Sequence, residues 1–365
     1  MQVFPLDSIS LDEAKQLQFK LVEAISEEFQ GTEMFQLGDV GVTPNGLPIA
    51  TGRVEKVLAR FFGSEDCVLV RGAGTGAIQK ALAAYVNPGD AIAVHSAPIY
   101  TTTKETIRML GLRTVSVDFH DDEALKDVLT RVKLLYIQHT RQQPADRYHL
   151  GYVIDVAKAT QPNIPIVVDE NYAVFKAPAI GVNLGADVST FSAFKLLGPE
   201  GIGVVLGPTA CTSVVRQRNY SGGGQVQGHE AMELLRALTM APVTIAIQTE
   251  QVEELAHELN QSAVPGITEA YVANAQSRCV IAKLKDPIAA QVIAAASEFG
   301  AAPYPVGAES KYEVLPMIYR VSGSFCEGAP ELKPYLLRIN PMRSGASLVV
   351  KILNQAISKV RSGDA

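Results

Sequence analysis

Apolar residues first recur at helical spacing near the start of the chain. Four of them lie four positions apart and so share one face of a helix: Leu17, Leu21, Ile25 and Phe29. Ser10 and Glu13, just before this stretch, have the spacing of a capping box, which predicts where the helix begins. Residues 38–46 are rich in Gly and Pro and predict a loop, and a second helical stretch then extends to about Phe62.

The pattern changes at Cys67, where short apolar runs begin to alternate with helical stretches. One helical stretch, residues 77–86, ends at the turn sequence Asn-Pro-Gly-Asp. Seven runs have the length and apolarity of buried strands: residues 67–70, 91–94, 114–117, 134–137, 166–168, 188–191 and 202–206. This alternation predicts an α/β domain with a mainly parallel sheet that helices cover on both faces.

The last third of the chain predicts a smaller α+β domain. A helical stretch over residues 229–260 is long enough to connect two domains. The elements after it are a strand at 279–284, a helix at 287–299, a strand at 336–339 and a final amphipathic helix. We therefore expect an N-terminal helix and loop over 1–48, a large domain over 49–245 and a small domain over 246–365.

Composition narrows the class of protein and of partner. The 365 residues are 47% hydrophobic and 19% charged, as in an ordinary globular protein. The formal net charge of −6 gives no reason to expect binding to nucleic acid or to an anionic membrane. No apolar stretch approaches the roughly 20 residues of a membrane span and no signal peptide is evident, so we expect a cytoplasmic protein. The four cysteines and six histidines are scattered, which predicts neither a disulfide framework nor a metal site.

The first candidate site is the glycine-rich segment 71–77, which lies between a predicted strand and a predicted helix. Glycines let the backbone approach an anion, and the helix N-terminus offers free N–H groups, so the segment predicts a phosphate site. Gly72, Gly74 and Ala77 also satisfy the dinucleotide-binding pattern. That pattern requires an acid at the end of the next strand, where residues 94–97 contain none. A mononucleotide or another phosphate compound remains possible as the ligand of this segment.

Two further candidates follow apolar runs. Asp169 ends one run, which places its carboxylate at the edge of the sheet where ligands bind in such folds. A helix N-cap or a solvated loop is the alternative for this aspartate. Lys195 follows another run and precedes a Gly/Pro turn. An enclosed lysine amine can act as a nucleophile toward an aldehyde, whereas most lysines after strands are merely solvated.

The phosphate cradle, the strand-end Asp169 and the sequence Ser192-x-x-Lys195 occur in a fixed order. With this order the chain resembles the fold-type-I pyridoxal 5′-phosphate (PLP) enzymes, which include aminotransferases of class V and the cysteine/methionine-metabolism lyases. In detail it most resembles the YhfS-like proteins, a bacterial subgroup of unassigned reaction. The resemblance covers nearly the whole chain and implies an aspartate aminotransferase-like fold, PLP as cofactor, and a homodimer with shared active sites.

The resemblance also implies roles for individual residues. Lys195 would carry the cofactor as a Schiff base and shuttle the Cα proton, and Asp169 would keep the pyridine nitrogen protonated. The other implied cofactor contacts are the phosphate ligands Gly74, Thr75, Gly76 and Ser192, the ring-stacking Tyr100, and Tyr172 as a second contact. For Tyr100 the alternative is a half-buried loop tyrosine.

Binding of an amino-acid carboxylate favours arginine. Arg338 matches the family's carboxylate-binding arginine, with a structural ion pair as the alternative. Arg141 is placed to meet a second carboxylate or to help seat the cofactor, and His139 is either a loop residue or a catalytic acid. Tyr220 and Ser221 are candidate contacts to the partner's phosphate in a dimer.

Two departures from the family pattern bear on the reaction. Phe194 stands where many relatives have a small or hydroxyl residue, and the asparagine that many aminotransferases use near the cofactor's 3-hydroxyl has no clear equivalent; Gln138 and Asn171 are the candidates. We expect an enzyme that cleaves the Cα–H bond of a small amino acid or amine, on the transferase side, with β/γ-elimination or replacement as the alternative. A non-catalytic PLP-fold binding protein and a nucleotide-binding oxidoreductase are the other classes considered.

Overall fold

The computed structural model describes residues 3–41, 47–141, 143–219, 223–275, 277–306, 309–322, 325–326 and 329–363. Their contacts divide the chain into two compact units. The larger unit comprises Asp12–Thr140 and Tyr148–Pro242, and the smaller unit comprises Met1–Leu11, Arg141–Arg147 and Val243–Ala365. The three-part division at residues 48 and 245 stays a prediction.

The larger unit contains a seven-stranded sheet. Its strands are β1 (Asp66–Arg71), β2 (Ala91–His95), β3 (Arg113–Val117), β4 (Leu134–Gln138), β5 (Ile166–Asp169), β6 (Val188–Ser192) and β7 (Ile202–Gly207). They lie in the order β1-β7-β6-β5-β4-β2-β3. Pairing is parallel from β3 through β6, and β7 is antiparallel to both of its neighbours. The predicted α/β fold with a mainly parallel sheet is therefore confirmed.

Strand β7 is antiparallel to β6 because the connection between them is short. Only residues 193–201 separate the two strands. A parallel strand requires a crossover of roughly a dozen residues or more, whereas an antiparallel strand needs only a turn.

Helices pack on both faces of this sheet. The helices of this part of the chain are α1 (Leu11–Glu28), α2 (Ile49–Phe62), α3 (Ala73–Tyr85), α4 (Thr101–Met109), α5 (Asp122–Leu129), α6 (Leu150–Thr160), α7 (Thr209–Arg218) and the long α8 (Gly228–Asn260). Leu134 and Tyr136 of β4 pack in one core with α3, whereas Leu135 and Ile137 pack in another with α5 and α6. Both faces are thus buried, which explains the uninterrupted apolar strands.

The smaller unit contains a four-stranded antiparallel sheet in the order β10-β11-β9-β8. Its elements are β8 (Ile267–Ala275), β9 (Ser277–Leu284), α9 (Ala289–Glu298), β10 (Met317–Arg320), β11 (Leu336–Asn340) and α10 (Ala346–Ser362). One core joins Leu255 of α8, Val292 of α9 and Leu353 of α10 to the sheet. The smaller α+β domain is therefore confirmed, although the sequence did not predict β8 or β10. Within the described residues, no helix is both long and apolar enough to cross a membrane.

Candidate active site

Asp169 lies at the carboxyl end of β5, between strands β4 and β6. It pairs with Gln138 on one side and Thr190 on the other. Its carboxylate is buried and accepts three hydrogen bonds: from the Tyr136 hydroxyl to Oδ2 at 3.1 Å, and from the backbone N and side-chain Nδ2 of Asn171 to Oδ1 at 2.9 and 2.6 Å. The strand-end carboxylate is therefore held rigidly rather than solvated.

The electrostatics of Asp169 reflect this enclosure. Burial raises the pKa of Asp169 above its ordinary value, while the Asn171 backbone N–H and then the positive charge of Lys195 act to lower it. Burial and the charge of Asp169 raise the pKa of Tyr136 well above its ordinary value. The phenol therefore keeps its proton and donates to the carboxylate.

Lys195 follows β6 in a short 3₁₀ helix, Ala193–Leu196. Its side chain is half-buried, and Nζ lies 3.7 Å from the centroid of the Tyr172 ring. The Nζ of a second lysine, Lys176, lies 5.6 Å from the same ring. Tyr172 has a left-handed backbone with φ of 70°, a conformation that costs a non-glycine residue energy and is concentrated at functional sites.

The glycine-rich segment forms the start of helix α3 and packs against Asn171, which is hydrogen-bonded to the Asp169 carboxylate. A Cβ atom added to Gly74 would lie 2.6 Å from both Oδ1 and Nδ2 of Asn171. A Cβ atom at Gly76 would lie 2.1 Å from the carbonyl oxygen of Arg71. A side chain at position 76 would therefore clash with backbone, whereas one at position 74 would displace the side chain of Asn171, the residue that holds Asp169.

The remaining cofactor candidates lie next to these groups. The exposed Thr75 donates its hydroxyl to that of Thr102 in α4 at 3.2 Å, and the half-buried Tyr100 immediately precedes α4. Ser192 is buried, and its N–H donates to Asn171 Oδ1 at 3.1 Å. All eight cofactor-binding candidates belong to the larger unit.

The two candidate substrate arginines belong to the smaller unit. Arg338 on β11 is 2% exposed, donates to the Ser277 hydroxyl at 2.9 Å, and stacks over the Tyr319 ring at 4.9 Å. Arg141 is also buried and donates to the carbonyl oxygen of Phe4 at 2.8 Å. Their roles toward a substrate stay predictions.

Sequence reasoning did not find the partners of Asp169. Asn171 was considered only for the cofactor's 3-hydroxyl, yet its contact with the carboxylate two residues earlier has the local Asx-turn pattern, which was readable from the sequence. The contact of Tyr136 with Asp169 depends on the pairing of β4 with β5, and no local sequence pattern indicates it. Tyr220 and Ser221 lie outside the described residues.

The fold also gathers three possible metal ligands that the sequence did not predict. Parallel pairing of β2 and β3 places His95, Asp118 and His120 with ligand atoms within 4.8 Å of one another. His95 Nδ1 accepts the Phe119 backbone N–H at 3.1 Å, so the proton of the neutral ring is on Nε2. The Nδ1 of His120 is hydrogen-bonded to Asp118 at 2.6 Å.

Comparison with known proteins identifies the family. The model for Cys/Met metabolism PLP-dependent enzymes matches residues 48–278, and the model for the YhfS-like C-terminal domain matches residues 253–353. The chain is 47% identical to YhfS of Escherichia coli (strain K12) over 99% of this chain and 100% of that protein. The crystal structure of that protein, described as pyridoxal-5′-phosphate dependent, matches with a TM-score of 0.96 over 98% of this chain and 100% of that chain.

More distant structures share the fold. A carbon–sulfur lyase involved in aluminum resistance from Clostridium novyi NT is 18% identical, with a TM-score of 0.71 over 96% of this chain and 91% of that chain. Cystathionine gamma synthase from Xanthomonas oryzae pv. oryzae is 17% identical, with a TM-score of 0.65 over 92% of this chain and 100% of that chain. The family model covers more than half of the chain, and this chain therefore belongs to the Cys/Met metabolism PLP-dependent enzymes, with PLP rather than a dinucleotide as cofactor.

Proposed function

We propose that this chain catalyses an elimination or replacement reaction at the side chain of a small amino acid, after its Cα–H bond is cleaved. The observation that carries the proposal is the arrangement of Lys195, its amine 3.7 Å from the Tyr172 ring, beside the buried Asp169. An amine nucleophile and a fixed carboxylate are the two groups that a pyridine aldehyde needs from its protein.

The residues around Asp169 fit PLP. The carboxylate is buried with a raised pKa, and a protonated ring nitrogen would supply a compensating positive charge. The close-packed Gly74 and Gly76 lie in the first turn of α3, where backbone N–H groups and the Thr75 hydroxyl can meet a phosphate, and the Ser192 hydroxyl is the further candidate. We assign the phosphate to these groups, the covalent attachment to Lys195 Nζ, and one ring face to Tyr100.

Each residue then has a defined task in the reaction. When bound, PLP supplies an electron sink for the pair left by the departing Cα proton. Lys195 Nζ would hold the cofactor covalently and, as a neutral amine, would remove that proton and return it later. Asp169 keeps its negative charge toward the ring nitrogen because Tyr136 and Asn171 donate to both of its oxygens. Arg338 and Arg141 are assigned to substrate carboxylates.

We prefer elimination or replacement to transamination, the reaction expected from the sequence, for three reasons. The family model that matches this chain is named for enzymes of cysteine and methionine metabolism. Solved structures with this fold include a carbon–sulfur lyase and cystathionine gamma synthase. The lack of a clear equivalent to the aminotransferase asparagine supports the same preference, since Asn171 is engaged with Asp169 and Ser192.

The first test is an absorbance spectrum of the full chain incubated with PLP and then dialysed. Wild type should retain a visible band, and Lys195→Met should lose it. Lys176→Met is the matched control, because its amine also lies near the Tyr172 ring yet should leave the band unchanged. A band retained by Lys195→Met, or none in wild type, would overturn the assignment.

The second test separates the two reactions. Wild type would be incubated with cysteine, cystathionine or methionine, with and without an added 2-oxo acid. Elimination releases ammonia and a 2-oxo acid without any added acceptor, so an eliminating enzyme gives ammonia in both conditions, whereas a replacing enzyme turns over without a 2-oxo acid when a thiol is added. Turnover that requires the added 2-oxo acid and releases no ammonia would identify an aminotransferase and contradict the proposal.

A further inference from the structure

A buried acid–imidazole pair lies next to Asp169 and has no part in the reaction described above. His139 and Glu170 are 5% and 0% exposed, and Nδ1 of the histidine lies 2.6 Å from Oε2 of the glutamate. The other carboxylate oxygen, Oε1, accepts the Gly181 N–H at 2.6 Å and the Ser189 hydroxyl at 3.1 Å. Gly181 and Ser189 donate to this carboxylate, and His139 is the third donor in the tautomer that carries its proton on Nδ1.

The pair lies on the opposite face of the sheet from the Asp169 carboxylate. Val167, two residues before Asp169, packs in the core with α3, whereas Val168, two residues before Glu170, packs in the core with α5 and α6. Successive residues of a strand point to opposite faces. Asp169 therefore points toward the cofactor side, and Glu170 points away from it.

Backbone hydrogen bonds link the His139–Glu170 pair to the strand end that carries Asp169. The N–H of His139 donates to the Asp169 carbonyl oxygen at 3.0 Å, and the N–H of Glu170 donates to the Thr190 carbonyl oxygen at 2.8 Å. The side-chain pair therefore ties the ends of β4 and β5 together at the peptide that carries the site carboxylate. Tyr172, with its left-handed backbone, follows two residues later, so the chain leaves this clamp through a strained turn.

We propose that His139 and Glu170 are positioning residues that fix the Asp169 carboxylate against the cofactor's ring nitrogen. The inference rests on the proposed role of Asp169 in holding that nitrogen. Without the clamp, the strand end is held less firmly and the charge-assisted bond to the ring nitrogen would weaken. With PLP bound, this weaker hold on the ring nitrogen would raise the pH at which the visible band of the Lys195-bound cofactor titrates.

The test uses the PLP-loaded full chain and two readouts: the dissociation constant for PLP and the pH midpoint of the visible band. His139→Leu removes the donor to Glu170, and we expect about tenfold weaker PLP binding with a midpoint at least about half a pH unit higher. His139→Asn retains an amide donor near the Nδ1 position and should restore both values to within about threefold and a few tenths of a unit.

Three further variants make the result decisive. Ile154→Ala opens a cavity in the core that contains Val168; it should lower stability without moving the midpoint. Glu170→Gln replaces His139→Leu if the latter does not fold, with the same direction expected. The inference is overturned if the His139 and Glu170 variants leave both readouts at wild-type values while Asp169→Asn changes them. If Asp169→Asn also changes neither, the assignment of Asp169 itself fails.

Discussion

The contact between the phosphate cradle and Asn171 gives the sharpest prediction about stability and cofactor binding. In Gly74→Ala, the new Cβ would lie 2.6 Å from both terminal atoms of the Asn171 side chain, closer than real Cβ contacts allow. The asparagine must therefore move, and its bonds to Asp169 Oδ1 and from the Ser192 N–H are broken or lengthened. The Asp169 carboxylate would retain only the Asn171 backbone N–H and the Tyr136 hydroxyl.

The size of the effect follows from these two bonds. The bond to the carboxylate is charge-assisted and contributes about 1.5–3 kcal/mol, and the bond from the Ser192 N–H about 0.5–1.5 kcal/mol. Local relaxation recovers part of this, so we expect the free energy of unfolding of the cofactor-free protein to fall by about 2 kcal/mol. PLP affinity should fall about tenfold or more because its carboxylate partner is less well held. Urea unfolding and an absorbance titration with PLP measure the two quantities.

A double-mutant cycle isolates the proposed contact. In an Asn171→Ala background the obstructing atoms are absent, so Gly74→Ala should be neutral or even stabilising. Alanine is a better helix former than glycine by about 0.5–1 kcal/mol, which gives the opposite sign from the effect in wild type. Equal destabilisation in both backgrounds, or no destabilisation in wild type, would refute this reasoning.

Three further predictions follow from other contacts. Tyr136→Phe removes the hydroxyl donor from the site carboxylate and should weaken PLP binding severalfold, whereas Tyr148→Phe, whose hydroxyl bonds to a backbone carbonyl, should not; an absorbance titration compares them. Burial raises the pKa of Glu55 from 4.5 to about 7. The folded state then binds more protons than the unfolded state between these values, so stability should fall by up to about 3 kcal/mol as the pH rises through this window. Glu55→Gln should flatten that dependence in urea unfolding at pH 5 and pH 8. Arg338→Lys should raise KM for the amino acid and leave the visible band unchanged, while the exposed Arg320→Lys should alter neither.

Local sequence patterns predicted those candidate site residues whose position depends only on the end of a single strand. Asp169 ends an apolar run and Lys195 follows another, and the structure places Asp169 at the carboxyl end of β5 and Lys195 in the short 3₁₀ helix that follows β6. The glycine-rich segment likewise begins a helix, α3, because a strand precedes it and an apolar stripe follows. In each case the information lies within about ten residues of chain.

The parts that escaped prediction depend on residues far apart in sequence. The bond from Tyr136 to Asp169 requires β4 to pair with β5 in one register, and the pair of His139 with Glu170 requires the same register one residue further on. The grouping of Arg141–Arg147 with the smaller unit depends on contacts with the N-terminal segment, such as the hydrogen bond from Phe4 to Pro144. No periodicity in a single segment encodes such contacts.

Backbone strain at the site explains a further failure of local rules. Ala73, Tyr172 and Leu197 have left-handed φ values of 53°, 70° and 65°, although a sequence pattern would favour glycine or asparagine there. One lies in the phosphate cradle, one follows Asp169 and one follows Lys195. Such conformations cost about 1–3 kcal/mol each and persist only where surrounding bonds fix them. The bond from the Ala73 N–H to Gly201, the bonds between Asn171 and Asp169, and the bond from the Leu197 N–H to Ala193 supply that constraint, one at each of the three turns.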